Sequence, residues 1–134
     1  MKVDEIMTKK LETIEADAPV YDAIEKMIDK RIRSLLVKPR DEKDVYGVIT
    51  VRDVVHKALG KNLDLTRTKV SEITSKPLIC IDKGMAVEHA INLMTKSNIT
   101  RVFVSDGKEI IGIVSLLDVM SAALIKRAKE GHGV

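Results

Sequence analysis

The feature that most constrains this chain is that it repeats itself. Val3-Asp-Glu-Ile6 recurs as Val70-Ser-Glu-Ile73, and at the same spacing Leu11, Ile14, Val20, Ala23, Ile24, Met27, Ile32 and Val37 meet Leu78, Ile81, Val87, Ala90, Ile91, Met94, Ile99 and Val104. After a longer loop in the first copy, Lys38 to Val45, the register resumes as Gly47-Val-Ile-Thr-Val-Arg-Asp53 against Gly112-Ile-Val-Ser-Leu-Leu-Asp118. Self-similarity sustained in one register means a duplicated structural unit. The expected layout is a first repeat over 1–60, a linker over 61–69, a second repeat over 70–127 and a flexible tail over 128–134.

Each copy has the pattern strand, helix, strand, strand, helix. Asp17 reads as an N-cap with Pro19 in the first turn, and Val20, Ala23, Ile24, Met27 and Ile28 follow at helical spacing. Val87, Ala90, Ile91 and Met94 repeat that stripe, ending near Asn98. Ser34 to Lys38, Tyr46 to Thr50, Arg101 to Val104 and Ile110 to Ser115 are short, β-branched and bounded by turn residues, so they read as paired strands. Asp106-Gly107 marks a hairpin. The last helices start at Val51 and Leu116, with apolar stripes Val51, Val54, Val55, Ala58, Leu59 and Leu116, Val119, Met120, Ala123, Leu124. Met27, Met94 and Met120 are expected to pack in the core, as is Cys80 between Ile79 and Ile81. Neither copy buries both faces of so small a sheet by itself, so the fold class is α/β (α+β), two pseudo-symmetric β-α-β-β-α repeats packed together.

Composition narrows the function. The aromatics are Phe103, Tyr21 and Tyr46, with no Trp, which argues against stacking platforms for single-stranded nucleic acid. The 23 basic and 20 acidic side chains are interleaved, and the net charge of +3 suits an anionic small molecule better than a DNA surface. The basic cluster Lys126, Arg127 and Lys129 reads as a solvated helix end. Cys80 is the single cysteine, so no intrachain disulfide forms, and no apolar run reaches the roughly 20 residues that span a bilayer. A cytoplasmic setting is expected, with no membrane partner. No nucleophile with a base, phosphate loop or metal motif is present, so the chain is not expected to be an enzyme. His56, His89 and the tail residue His132 read as ordinary surface histidines.

The chemistry concentrates in one repeated motif. In Thr50-x-x-Asp53 and Ser115-x-x-Asp118 a hydroxyl and a carboxylate lie three residues apart where a strand meets a helix. Such a pair forms a capping box. A helix N-terminus behind a glycine-led strand also offers N–H groups and a positive dipole to a phosphate, and a first-turn carboxylate accepts the hydroxyls of a ribose. The residues by themselves leave both uses open.

The duplicated Val-x-Glu-Ile opening, Asp-Ala-Pro-Val-x-x-Ala-Ile at Asp17 to Ile24, and Gly-h-x-[Ser/Thr]-x-x-Asp (h apolar) closing each copy resemble a tandem pair of cystathionine β-synthase (CBS) domains, a Bateman module of the stand-alone prokaryotic type. The resemblance covers Val3 to about Leu124. It implies a CBS-domain pair that binds AMP, ADP, ATP or S-adenosylmethionine as a regulatory ligand in clefts between the repeats and acts on an effector protein. One implied cleft, site A, takes Thr50 and Asp53 with Pro77, Leu78, Ile79, Ile99, Thr100 and Arg101. The other, site B, takes Ser115 and Asp118 with Lys10, Leu11, Glu12, Ile32 and Arg33. Site A offers an apolar slot for adenine and Arg101 for phosphate; Lys10 and Glu12 make site B the weaker. A homodimer is expected, because the stripes of the last helices are wider than one sheet pair covers and can serve as a helix-to-helix interface, and Bateman modules resemble this in pairing as flat disks. The competing reading is a ligand-independent structural or oligomerisation module whose capping boxes are only caps.

Overall fold

The computed structural model describes residues 1–76 and 78–131. Pro77 and His132 therefore lie outside the described residues. The chain forms two compact units, one of Glu12–Leu78 and one of Met1–Leu11 with Ile79–Val134. Their boundaries do not coincide with the sequence repeats, because each unit takes its opening segment from the other copy.

The first unit contains β1 (Thr13–Ile14), α1 (Val20–Lys30), β2 (Ser34–Val37), β3 (Gly47–Thr50) and α2 (Val51–Asp53), which runs on as a π-helix over Val54–Leu59. The second contains β4 (Cys80–Asp82), α3 (Val87–Ser97), β5 (Arg101–Asp106), β6 (Glu109–Ser115) and α4 (Leu116–Lys129). In each, the first strand pairs parallel with the second and the second antiparallel with the third. Gly107, at φ 61°, turns the β5–β6 hairpin where Asp106-Gly107 predicts it. The α/β repeat pattern is the one expected.

Short 3-10 turns, Val3–Glu5 and Val70–Glu72, open the two copies. Val3 is fully buried with Ala90, Met94, Val102, Val104 and Val114 of the second copy. Val70 is fully buried with Val20, Ala23, Leu35 and Ile49 of the first. Burying a valine stabilises by about 1.5–3 kcal/mol relative to leaving it in water, so each core depends on a residue lent by the other repeat. The backbone follows. Thr8 and Ile113 exchange both of their backbone hydrogen bonds (2.8 and 3.0 Å), and Val48 and Ser75 do the same (3.0 and 2.9 Å). The exposed edges of β6 and β3 are thereby covered, which removes a template for aggregation.

The same exchange replaces the expected helix cap. Asp17 does not cap α1; Pro19 stands at the N-cap with no side-chain bond. The N–H groups of Val20 and Tyr21 instead donate to the carbonyls of Thr68 (2.8 Å) and Leu65 (2.9 Å), and that of Val87 in α3 donates to the Met1 carbonyl (3.0 Å). The orphan donors of a first turn need an acceptor but not a particular one. Asp17 is left to pair with Arg40 (3.3 Å) and Lys69 (3.8 Å). The linker is thus part of the fold, since the Asp64 carboxylate accepts from the Thr66 N–H and hydroxyl and shapes the turn that presents those carbonyls.

Several core assignments change. Met27 and Met94 are buried, but Met120 is 67% exposed, with Leu116, Ala123 and Leu124 exposed beside it. In α4, Val119 and Ala122 face the core, and at 100° per residue Met120 and Leu124 point roughly a quarter-turn or more away. In the first copy Val54 and Ala58 face inward, four residues apart rather than three, because a π-helical turn holds more residues; Val51, Val55 and Leu59 are exposed. Ile28 is exposed on α1. Cys80 is exposed as well, since β4 is an edge strand whose alternation turns Ile81 inward and Cys80 and Asp82 outward.

The longer loop of the first copy is braced by charge. Lys76 Nζ lies 2.6 Å from Asp44 Oδ1, and the N–H groups of Arg40 and Val45 also donate to that carboxylate. The Lys76 ammonium first, and the two amides after it, hold the Asp44 carboxyl down to about 2. A depressed carboxylate contributes stability above its ordinary range and loses that contribution as pH falls toward 2. An NMR titration should place Asp44 near 2, and Lys76→Met should return it toward the usual carboxylate range. Two glycines give a further test. A Cβ on Gly47 would meet Thr74 Cγ2 and the Ser75 carbonyl, whereas on Gly112 it would meet the Met7 thioether. Urea unfolding should find Gly47→Ala less stable by about 1–3 kcal/mol and Gly112→Ala affected less, because methionine repacks readily.

Candidate functional site

Both hydroxyl–carboxylate motifs form complete capping boxes. Asp53 N–H donates to Thr50 Oγ1 (3.0 Å), while the N–H and hydroxyl of Thr50 donate to Asp53 Oδ2 (both 3.0 Å). Asp118 N–H donates to Ser115 Oγ (3.2 Å), while the N–H and hydroxyl of Ser115 donate to Asp118 Oδ2 (2.8 and 3.0 Å). The residue ahead of the partner strand supplies another acceptor: Val51 N–H donates to the carbonyl of Arg33, just before β2 (3.0 Å), and Leu116 N–H to that of Thr100, just before β5 (3.1 Å). The box exists because the strand delivers an extended Thr50 or Ser115 (φ −116° and −106°) directly to a helical turn.

The outer oxygen of each carboxylate meets the exchanged opening segment. Ser75 Oγ donates to Asp53 Oδ1 (3.3 Å), and Thr8 Oγ1 donates to Asp118 Oδ1 (3.3 Å). Each motif is thus joined to the start of the other repeat. Sequence reasoning missed Thr8 and Ser75, although a signal was there: both stand two residues after the isoleucine of the duplicated opening, and both carry a hydroxyl. It also missed Lys57, whose ammonium lies 3.0 Å from Asp53 Oδ1 and within 3.4 Å of the Ser75 hydroxyl and the Ile73 carbonyl. The matching position four residues after Asp118 is Ala122. The two motifs are therefore alike in backbone and unlike in charge.

The remaining expected residues fall as follows. Leu78 is half-buried and lies in the unit that holds Thr50 and Asp53. Ile32 packs against that unit's core, and Arg33 is exposed beside the same motif. Glu12 begins the same unit, and its carboxylate is taken by Lys30 (3.4 Å) and Lys26 (3.7 Å) of α1. Lys10, exposed, and Leu11, half-buried, belong to the unit of Ser115 and Asp118. So do Ile79, whose carbonyl accepts from Phe103 N–H, and Ile99, Thr100 and Arg101, the last in register with Ser115. His56 and His89 are exposed, and no cluster of metal-ligating side chains exists among the described residues. Among them no helix is long and apolar enough to cross a membrane.

The comparisons follow the repeat. The CBS domain family matches residues 3–60 and again 70–125, and the chain belongs to that family as a tandem pair. It is 32% identical over 117 residues to the Arabidopsis thaliana CBS domain-containing protein CBSX3, mitochondrial, covering 85% of this chain and 57% of that protein, little more than half its length. Among solved structures, a hexameric CBS-CP12 protein from bloom-forming cyanobacteria aligns with a TM-score of 0.85 at 34% identity over 95% of this chain and 74% of that one. A CBS domain protein from Pyrobaculum aerophilum complexed with AMP has the same fold, with a TM-score of 0.81 at 22% identity over 96% and 99%.

The capping role is testable by itself. Thr50→Ala and Ser115→Ala should each lower stability by about 1 kcal/mol in thermal or urea unfolding. Replacement by Asp, another good cap, should recover part of the loss.

Proposed function

We propose that the chain is a regulatory module that binds an adenine nucleotide (AMP, ADP or ATP) or an S-adenosyl compound and passes the bound state to an effector protein. The observation that carries this reading is the recurrence, at two equivalent strand-to-helix junctions, of a buried or half-buried carboxylate whose outer oxygen meets a hydroxyl of the exchanged opening. A carboxylate held rigidly by its cap is suited to accept ribose hydroxyls in charge-assisted hydrogen bonds. Family membership and the AMP complex of a fold neighbour support the adenosine class.

In this reading Thr50 and Asp53 hold the ribose of one ligand, and Ser115 and Asp118 that of another. Arg101 is the phosphate partner, because a guanidinium addresses phosphate and not base. The protein works as a homodimer or a larger assembly of its own chain: Leu117, Met120 and Leu124 on α4 are each at least 67% exposed, and one relative of the same fold is hexameric. Sedimentation should show more than monomer at micromolar concentration.

Thermal unfolding with AMP, ATP, S-adenosylmethionine and adenosine tests the ligand class. A ligand at 100 times its Kd adds about 2.7 kcal/mol of stability, and a purely structural module would show no shift with any of them. In calorimetry Asp53→Ala, once shown to be folded, should weaken binding about 10-fold to 150-fold, the equivalent of charge-assisted bonds of about 1.5–3 kcal/mol. Arg101→Ala should weaken AMP and leave adenosine nearly unchanged.

A further inference from the structure

The two motif carboxylates differ in how much accepting capacity they have left. A carboxylate offers roughly four lone-pair positions. On Asp53, Oδ2 takes the Thr50 N–H and hydroxyl, and Oδ1 takes the Ser75 hydroxyl and the Lys57 ammonium. That is four donors. On Asp118, Oδ2 takes the Ser115 N–H and hydroxyl, and Oδ1 takes the Thr8 hydroxyl. That is three among the described residues, and Ala122 stands where the lysine would be. The Lys57 side chain is 43% exposed, so its ammonium has water to move into when it lets go.

We propose that Lys57 is an internal competitor for the sugar at the first motif, holding the Asp53 oxygen that a ribose hydroxyl needs and so setting how readily that motif fills. The proposal rests on the adenosine reading above. A hydroxyl arriving at Asp53 exchanges with an ammonium already in place, while one arriving at Asp118 does not. The pair of Asp53 and Lys57 is partly solvated, so the competition is modest and sensitive to salt. Because the lysine is present in one copy and absent from the other, the duplicated motif becomes two sites with separate thresholds.

Calorimetry with adenosine, which carries no phosphate to attract a lysine, tests this on the full chain. An Asp118→Asn background reads the first motif by itself. There Lys57→Met should tighten adenosine about 2- to 5-fold, the range of a partly exposed ion pair, while Lys57→Arg, which keeps a competing cation, should stay near the parent. Raising salt from about 0.05 M to about 0.5 M should tighten the parent toward the Lys57→Met value and leave that variant unmoved. Circular dichroism melts confirm folding, and Lys57→Gln serves if the methionine variant is impaired. Unchanged or weaker adenosine binding by the lysine-free variants overturns the proposal. Binding by the unmodified chain but by none of the Asp118→Asn proteins overturns it and leaves the adenosine reading standing. No binding by the unmodified chain overturns both.

Discussion

Val3 and Val70 hold this chain in its arrangement, because each is fully buried in a core whose strands and long helix belong to the other repeat. An apolar side chain anchored there draws its flanking backbone with it. The residues just ahead of it, Leu65 and Thr68 or Met1, then supply acceptors to the first turn of α1 or α3, and the opening segment covers the free edge of β3 or β6. A three-stranded sheet of this size has too little apolar surface to stand unaided, and lending a segment in each direction makes each core depend on both copies. The duplication thus produces two units, each built from parts of both repeats.

The exchange also explains the form of the repeated motif. Gly47 and Gly112 lead it because the borrowed segment crosses directly over their Cα atoms, where a side chain would strike Thr74 or Met7. The hydroxyl and carboxylate follow because a strand that ends against a helix must satisfy the first-turn amides. Only after those structural demands are met does the outer oxygen of each aspartate remain for chemistry, and it meets a hydroxyl from the crossing segment. Under the proposed function, structure and ligand chemistry converge on the same residues. A substitution at either aspartate changes both, which is why folding has to be measured alongside binding.

The copies have diverged where divergence costs the fold little. Lys57 and Ala122 each stand four residues after the motif aspartate, but Lys57, on the π-helical stretch, reaches out to solvent while Ala122, on an α-helix, is packed. The loop inserted into the first copy is held to the start of the second by Asp44 and Lys76 and by Arg40 with Ser71. Both copies keep the same strand pairing and the same capping box. The lysine alters the charge at a single motif.

Much of the molecule is legible in the sequence, for reasons that are local. Helical spacing locates α1 and α3, Asp106-Gly107 locates a hairpin, and the register between copies locates both motifs, since periodicity and turn chemistry depend on near neighbours. Asp17 misleads because its expected role is filled by carbonyls of Leu65 and Thr68, which no local pattern connects to α1. Met120 misleads because an apolar stripe shows that a helix has a hydrophobic side but not which side meets the core. Cys80 misleads because edge strands and central strands share a composition. The sequence by itself determined the duplicated α/β unit and the placement of a carboxylate at the head of each last helix. The tertiary structure alone decided that the opening segments change places, and hence that Thr8 and Ser75 meet those carboxylates, because such contacts arise between residues that the chain's own order keeps apart; Lys57, four residues after Asp53 on the same helix, is by contrast a local pair that the spacing already contains.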